Sequence, residues 1–335
     1  MHNWGHNHTR NAFCLKEDIA GYVSLFEIDL YRVHNTMNRR PAHTVSLLTA
    51  KSAFFLGILL SCALCVASAN AQGTLLARHV ESSVSLEYSK PFYEPGRPSI
   101  TAGSSVWFLS TRVASSDQVY VLAELPLVFT KQNYTSVYSV EGVNTVFTPA
   151  SETLVGNPFI GAQITPTGSP LYALFGVRLP LAKDDREVAE AYGKAGDFDR
   201  FDAFSPRFTS LRMRLGLSRE FQSNTEYHFW LGTILMVGDR INNHKPFYID
   251  YGAQLRFLNR SFRAIIGISG KMLYSGKVPD FQDRLVHQFG AAANFGSGWI
   301  RPGVHFRTPL TDKLGVKYLN YVVGLDLTIR LGPAY

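Results

Sequence analysis

The last stretch of the chain, residues 318–331, alternates between apolar and polar positions. The odd positions from 319 to 331 are apolar, and the even positions from 320 onward are polar or glycine with one exception, Val322. A β-strand points successive side chains to opposite faces, so this segment predicts a strand with one apolar face and one polar face. The apolar face would line the core of a soluble sandwich, or it would meet lipid in an outer-membrane barrel whose polar face lines the lumen.

Similar period-2 patterning, bounded by turn residues, recurs along the chain and predicts about twelve strands. The predicted strands are 81–90, 101–113, 117–129, 155–165, 171–181, 207–219, 226–238, 247–258, 262–273, 286–295, 299–307 and 318–331. The connections between them alternate between short and long. The long connections are 91–100, 130–154, 182–206, 239–246, 274–285 and 308–317.

This alternation is typical of an up-and-down barrel, in which periplasmic turns are short and extracellular loops are long. The Greek-key connections of a sandwich would break the sequential pairing of strands. Past the N-terminal region, no apolar run is long enough for a membrane helix, and only a closed barrel or a helix satisfies the backbone in lipid. The predicted fold class is therefore all-β, a single transmembrane antiparallel up-and-down barrel of about twelve strands, roughly 10–14.

The N-terminal 71 residues carry the pattern of a targeting segment. Met37 is followed by basic residues, an apolar stretch over 53–66 and an Ala-Asn-Ala site that ends at Ala71, the three parts of a secretory signal peptide. We expect 1–36 to be a spurious extension, 37–71 to be a signal peptide cleaved after Ala71, and 72–335 to be the barrel. The protein would then be exported through the periplasm to the bacterial outer membrane.

Composition removes several classes of function. All three cysteines precede position 72, which excludes thiol catalysis, disulfides and cysteine metal sites in the mature chain and suits an oxidising periplasm. From residue 72 the chain has 27 Lys and Arg and 22 Asp and Glu, without a basic run, so we expect no nucleic-acid partner. No nucleophile–base–orienter set, metal-ligand spacing or phosphate-binding glycine loop is present, and we predict no enzyme and no cofactor.

The polar face of the predicted strands supplies candidates for a permeation wall. The inward titratable set also contains Glu87, His228 and Arg263, and the side chains chosen from it for the wall are Arg112, Glu124, Arg178, Arg212, Arg214, Asp250, Arg256, Arg301, His305, Arg307, Asp326 and Arg330. Arginines outnumber acids among them, and rings of arginine favour anions in pores. The alternative is that arginines and acids pair across the lumen and fill it, because twelve strands leave a narrow space at best.

The long connection between the fifth and sixth predicted strands is the other candidate element. Residues 183–204 are rich in acids, and 185–192 could form a short helix. One hypothesis folds this segment inward, where its acids pair with wall arginines and make a constriction. The other, which we favour from the sequence, is a solvated surface loop. Asp197, Asp199 and Asp202 lack the spacing of a calcium loop with its closing Glu, so no metal site is predicted.

Three motifs with glycine and proline follow one another in the first half of the barrel: AELPL at 123–127, GNPFIG at 156–161 and GVRLPL at 176–181. In order and spacing they resemble the outer-membrane proteins of the meta-pathway of phenol degradation family, distant relatives of the fatty-acid channels. The resemblance implies a barrel that passes small, often hydrophobic or aromatic molecules. Ala182-Lys183 stands where the family has Thr-Gly, and 72–80 is too short for the plug of the fatty-acid channels, so no binding residues are carried over.

Together these patterns predict a passive outer-membrane channel or transporter for small solutes. Its partners would be outer-membrane lipid, the solute and the barrel assembly machinery, whose recognition signal the aromatic terminus Tyr335 resembles. Two alternatives remain: an anion-preferring porin that uses the lumenal arginines, and a non-conducting structural or surface-interaction barrel that presents 130–154 and 182–206.

Overall fold

The structure is a computed structural model. It describes residues 82–93, 104–132, 136–140, 143–147, 150–222, 224–238, 246–259, 261–275, 284–296, 298–311 and 319–331. The predicted extension 1–36, the signal peptide 37–71 and Tyr335 lie outside the described residues.

Most of the described residues lie in strands, and two consecutive helical segments lie in the connection between the eighth and ninth strands. The strands are β1 (Ser83–Tyr93), β2 (Ser105–Ala114), β3 (Val119–Gln132), β4 (Ser136–Val140), β5 (Val143–Phe147), β6 (Ala150–Val155), β7 (Phe159–Ile164), β8 (Leu171–Arg178), β9 (Phe208–Gln222), β10 (Thr225–Gly238), β11 (Phe247–Leu258), β12 (Phe262–Leu273), β13 (Leu285–Phe295), β14 (Ile300–Pro309) and β15 (Leu319–Arg330). The helical segments are α1 (Glu187–Gly196) and a 3₁₀ helix, η1 (Phe198–Phe204).

Antiparallel pairing of sequential strands forms a closed barrel. Pairing runs from β3 to β7 and then strand by strand through β15, which pairs with β1, while β2 pairs with β3. β1 and β2 lie side by side and close the circle, with the rings of Tyr88 and Trp107 4.9 Å apart across the seam. The barrel has twelve strands, as predicted, and β6 is an additional strand that continues the line of β7 along β3.

Two predicted features of the first half are wrong. The connection 130–154 is not simply a loop, because it contains the hairpin of β4 and β5 and the extra strand β6. The predicted strand 155–165 is interrupted at 156–158, between β6 and β7. Leu127 pairs with Val155, and Glu124 pairs with Phe159. Between these two pairs the segment from β6 to β7 has one more residue than β3. The interruption is therefore a bulge, which turns the backbone at 156–158 toward the lumen.

The two faces of the barrel differ as the alternation predicted. Large apolar side chains on the outside are exposed, as at Leu215 (60%), Leu231 (61%) and Leu325 (56%), whereas polar side chains on the inside are buried. Exposed aromatic residues lie at or just beyond strand ends, where a barrel meets the lipid headgroups, namely Phe221, Tyr274 and Trp299. The outer face is therefore that of a transmembrane barrel. No helix within the described residues is long and apolar enough to cross a bilayer.

In β15 one position departs from the predicted parity. Leu319 was expected to face outward but is buried, because Tyr93 pairs with Leu319 while Phe92 pairs with Tyr321. Asn320 is the extra residue at this bulge, and the alternation of sides reverses there.

The barrel has two ends, which are named here by their connections. The turn end carries the short connections 115–118, 165–170, 223–224, 259–261 and 296–299. The loop end carries the long ones, including the segment from β8 to β9 that contains α1 and η1. Below, the insert means residues 187–204, and the lumen means the space that the inward side chains enclose.

Candidate functional site: the lumen and its insert

The insert lies inside the barrel and packs against its inner wall. Its first half, α1, buries Ala189 and Tyr192 against Val106 and Phe108 of β2. The Tyr192 hydroxyl donates to the carbonyl oxygen of Ser104 at 3.0 Å, and burial raises the pKa of this phenol. The hypothesis of a solvated surface loop is therefore wrong, and the inward position in the other hypothesis is confirmed; that the insert constricts a path stays a prediction.

A wall carboxylate caps the start of α1. The Ala189 N–H, one of the N–H groups that a helix leaves without an internal partner, donates to Glu152 Oε2 of β6 at 3.0 Å. A carboxylate at a helix N-terminus also opposes the helix dipole favourably. The extra strand β6 thus positions the entry of the insert.

Three phenylalanines anchor the insert to three sectors of the wall. Phe198, Phe201 and Phe204 recur every third residue, as in the 3₁₀ turns that meet at a kink at Arg200, and all are buried. Phe204 joins the cluster on β2, and Phe201 packs with Ile234 and Met236 of β10. Phe198 packs with Val286, Leu319 and Val322. The single apolar exception on the polar face of the last strand, Val322, is therefore a contact for the insert.

Arg200 is the electrostatic centre of the docked insert. Its guanidinium is 1% exposed and forms ion pairs with Glu87 of β1 at 2.8 Å, with Glu124 of β3 at 3.0 Å and with Asp197 of the insert at 2.5 Å. The guanidinium carbon also lies 3.3 Å from the ring centroid of Phe108. Burial alone would lower the pKa of Arg200, but the three carboxylates outweigh it and raise that pKa above its usual range.

The acids of the insert are matched by cations of the wall. Asp202 pairs with Arg212 at 3.0 Å and Arg178 at 3.3 Å, and Asp197 pairs with Arg307 at 2.7 Å. Lys271 donates to the carbonyl oxygens of Phe198 at 2.8 Å and Asp199 at 2.5 Å. The resulting network has five cations and five carboxylates: Arg178, Arg200, Arg212, Lys271 and Arg307 with Glu87, Glu124, Asp197, Asp199 and Asp202.

Asn157, in the bulge between β6 and β7, fastens the end of the insert. Its side-chain amide donates to the carbonyl oxygens of Ser205 at 2.7 Å and Asp202 at 3.2 Å, and its Oδ1 accepts from the N–H of Ala182 at 2.8 Å. Its backbone N–H donates to the carbonyl oxygen of Ala203 at 2.6 Å. One fully buried side chain therefore joins the two ends of the connection from β8 to β9.

The candidate wall residues fall into three groups. Those that contact the insert or its central network are Glu124, Arg178, Arg212, Arg307 and His305, whose Nε2 lies 3.5 Å from Glu87. Those that are buried elsewhere in the lumen are Arg112, Arg214, Asp250, Arg256, Arg301 and Asp326. Arg330 is only partly buried, near the turn end. The inward placement of the set agrees with the predicted parity; its part in permeation stays a prediction.

Three residues central to docking were absent from the predicted site. Arg200 and Glu87 carry the ion-pair network, and Asn157 carries the hydrogen bonds; the parity placed Glu87 inside the lumen, but none of the three was chosen for the permeation wall. A signal for the insert was present in the chain. Phenylalanine at every third position of FDRFDAF is unfavourable on an exposed loop, because it would form an apolar patch in water.

The pKa of the Asp202 carboxyl indicates how the docked insert responds to acid. Burial would raise its pKa, but Arg212, Arg178 and Lys271 outweigh burial, and the Ser210 hydroxyl donates to it, so the pKa lies below the usual range. Because the pKa is lower in the docked state, the ionised carboxyl stabilises that state at every pH above its ordinary pKa of about 3.9. This stabilisation is lost as the pH falls through the lower pKa of the docked state.

We therefore expect the conductance of single barrels to stay constant from pH 7 to about pH 4, and any acid-induced opening to begin below that range. Planar-bilayer recordings at stepped pH test this, with Asp202→Asn as the variant that lacks the carboxyl. Opening of the unaltered barrel already between pH 6 and pH 5 would contradict the prediction.

Comparison with known proteins shows no family. No protein-family profile matches the chain, and no curated protein sequence matches it. Among solved structures it is similar to an outer membrane channel from Pseudomonas putida F1, with 12% identity over 78% of this chain and 100% of the other, and a TM-score of 0.49. It is also similar to LpxR from Salmonella typhimurium, with 10% identity over 75% and 100% of the two chains and a TM-score of 0.47.

A third neighbour is the translocator domain of the autotransporter NalP from Neisseria meningitidis, with 11% identity over 84% of this chain and 97% of the other, and a TM-score of 0.47. All three TM-scores lie below 0.5, so the function proposed below depends on the geometry of this barrel alone. The class that this geometry defines is a transmembrane β-barrel of the outer-membrane type with a helical insert in its lumen.

Proposed function

We propose that the protein is an outer-membrane transport barrel for small solutes, whose insert closes the lumen and opens it by undocking. The observation that carries this proposal is the docked insert itself. Wall side chains alone can fill a small barrel, as they do at eight strands. Here a separate helical segment occupies the centre, both of its connections lie at the loop end, and β8 pairs directly with β9 beside it.

The way in which the insert is held suits a gate. A buried ion pair adds little net stability over apolar packing of the same volume, because both charges must be desolvated. The ion-pair network does specify one position of the insert, because a misplaced insert would leave its five cations and five carboxylates partly unpaired. When the insert leaves, the wall cations are hydrated and a polar lumen remains.

The resemblance of the AELPL, GNPFIG and GVRLPL motifs supports small hydrophobic or aromatic molecules as the solutes. Export through the signal peptide 37–71 and insertion by the barrel assembly machinery complete the proposal for localisation. The anion-preferring porin is less favoured by the geometry, since Arg212 pairs with Asp202 and Arg214 pairs with Asp250 instead of facing an open path.

The test compares the mature chain, from Gln72 onward, with a variant in which a short Gly-Ser linker replaces 186–205. Both are refolded and placed in planar bilayers and in liposomes loaded for solute uptake. We expect brief, infrequent openings and slow uptake for the unaltered barrel, and steady conductance and faster uptake for the variant. Heat-modifiable migration on gels confirms that both have folded.

A second candidate function is a non-conducting surface barrel, and the dense filling of the lumen favours it. Its signature is a folded, unaltered barrel that shows neither openings nor uptake of any probe, while the linker variant conducts. That result would overturn the transport proposal. A silent linker variant would overturn the role of the insert as the closing element.

A further inference from the structure

The turn-end half of the lumen, beyond the insert, has a different charge balance. Arg112 of β2 is 5% exposed and donates from Nη1 to Gln163 Oε1 at 2.9 Å, and its guanidinium carbon lies 4.0 Å from the ring centroid of Tyr120. Its Nε and Nη2 are buried and have no hydrogen-bond partner. In the part of the chain that the structure describes, no carboxylate lies within ion-pair distance of Arg112.

Two more arginines face the same space. Arg256 is close enough to Arg112 to repel it, and the Tyr172 phenol lies within electrostatic range of Arg112, Arg214 and Arg256. Arg214 pairs with Asp250, and its Nε is buried without a partner. Arg256 is 3.5 Å from Glu226. Among these five side chains, three arginines therefore meet two carboxylates, which leaves one positive charge in excess.

A chain of hydrogen bonds orients Tyr172 as a donor. Arg256 Nη2 contacts His228 Nδ1, and since a guanidinium can only donate, this ring nitrogen accepts. In that tautomer the proton is on Nε2, which donates to the Tyr172 hydroxyl oxygen at 2.6 Å. The hydroxyl proton of Tyr172 is then left to donate elsewhere. The ring of Tyr172 is held in place over Gly216, where a Cβ would lie only 2.0 Å from it.

We infer that this half of the lumen binds a small monocarboxylate, through Arg112 Nε and Nη2 and the Tyr172 hydroxyl. Around Arg112 the groups that lack hydrogen-bond partners are its own Nε and Nη2, which are donors, and a planar carboxylate matches this guanidinium fork with two parallel hydrogen bonds. One monoanion also neutralises the remaining charge. The inference extends the proposed transport function, because it names the class of solute that the lumen receives.

The positions of Arg112, Gln163 and Tyr172 in their strands give the carboxylate access from the turn end. Arg112 lies two residues before the end of β2, Gln163 one residue before the end of β7, and Tyr172 one residue after the start of β8. All three side chains thus lie next to the turn end. A ligand enters from this end when the Gln163 side chain leaves Arg112, without any movement of the insert.

The test is calorimetric titration of the folded mature chain in detergent with benzoate and butyrate, and with benzyl alcohol and chloride as neutral and inorganic comparators. We expect both carboxylates to bind, benzyl alcohol not to bind, and chloride to compete only weakly. Arg112→Met should weaken carboxylate binding at least tenfold, and Tyr172→Phe severalfold. Arg219→Met, which removes an exposed arginine near the same end of the barrel, should leave the affinity unchanged.

Folding of Arg112→Met is expected, because an uncompensated buried charge is replaced by an apolar chain of similar length. Equal carboxylate affinity in Arg112→Met and the unaltered chain would overturn the site, and so would chloride competing as well as benzoate. Carboxylate binding by a barrel that never conducts would keep the site and remove the transport function. Conduction without carboxylate binding would remove the site alone.

Discussion

Replacement of Arg200 by methionine is expected to release the insert from the lumen. Glu87, Glu124 and Asp197 meet at this guanidinium and are nearly inaccessible to water. Removing one partner of a buried ion pair leaves uncompensated charge and typically costs about 3–5 kcal/mol. Without Arg200, Glu87 and Asp197 still pair with Arg307, and Glu124 still pairs with Arg178. The expected loss of docking free energy therefore stays in this range and is not three times as large.

The barrel wall itself should survive this change, because its strand pairing does not pass through Arg200. The expected result is therefore a folded, heat-modifiable barrel whose insert is cut by trypsin or chymotrypsin within 187–204 and whose conductance rises. Arg186→Met is the matched control, since Arg186 forms an exposed ion pair with Asp185 at 3.6 Å, a kind that contributes about 0–1 kcal/mol. If Arg200→Met leaves the insert as protease-resistant as the control does, Arg200 is not what holds it.

The wall of this barrel could be predicted from the sequence because its physical cause is local. Lipid outside and polar groups inside impose a period of two on every strand, so the face of residues such as Leu215 and Arg212 follows from parity alone. In the described strands, parity fails where a bulge adds a residue, as at Asn320, because a bulge depends on the pairing partner; at Asn320 nothing in the local pattern marks it.

The insert could not be assigned with the same rule, because its position depends on contacts between distant parts of the chain. Asp197, Asp199 and Asp202 suit water as well as they suit arginines, and their acidity favoured a surface loop. The wall residues that pair with these aspartates come from β8, β9, β12 and β14. Only two signals in the sequence point inward: the phenylalanines at every third position, and Val322 as an apolar residue on a polar face.

The bulge at 156–158, next to the insert, also could not be predicted from the local alternation of apolar and polar residues. In the GNPFIG motif, Pro158 cannot donate a ladder hydrogen bond, which marks an interruption of the strand. The reason for the interruption lies elsewhere in the chain: it aims Asn157 at the backbone of 202–205. The motif that suggested the family resemblance is thus, in this chain, the fastening point of the insert.

Substitution of Gly156, in the same motif, is the second change expected to disturb the docked insert strongly, because the insert lies directly against the backbone of this residue. A Cβ at this position would lie 2.4 Å from the carbonyl oxygen of Ala203, 2.8 Å from Pro126 Cγ and 3.0 Å from Phe204 Cδ1. A backbone carbonyl cannot move aside as a flexible side chain can. Gly156→Ala should therefore push 202–204 away from the wall and break the hydrogen bond from the Asn157 N–H to Ala203.

Overpacking of this kind typically costs about 1–3 kcal/mol, and the loss of the Asn157 hydrogen bonds to the insert adds to it. We expect faster backbone hydrogen exchange throughout 187–204, unchanged exchange in β11–β13, and more frequent channel openings. Gly298→Ala is the matched control at the turn end, where a new Cβ would meet nothing within 4 Å. Gly156→Val should exaggerate each change. Equal exchange of the insert in Gly156→Ala and Gly298→Ala would show that the close approach at Gly156 does not hold the insert in the lumen.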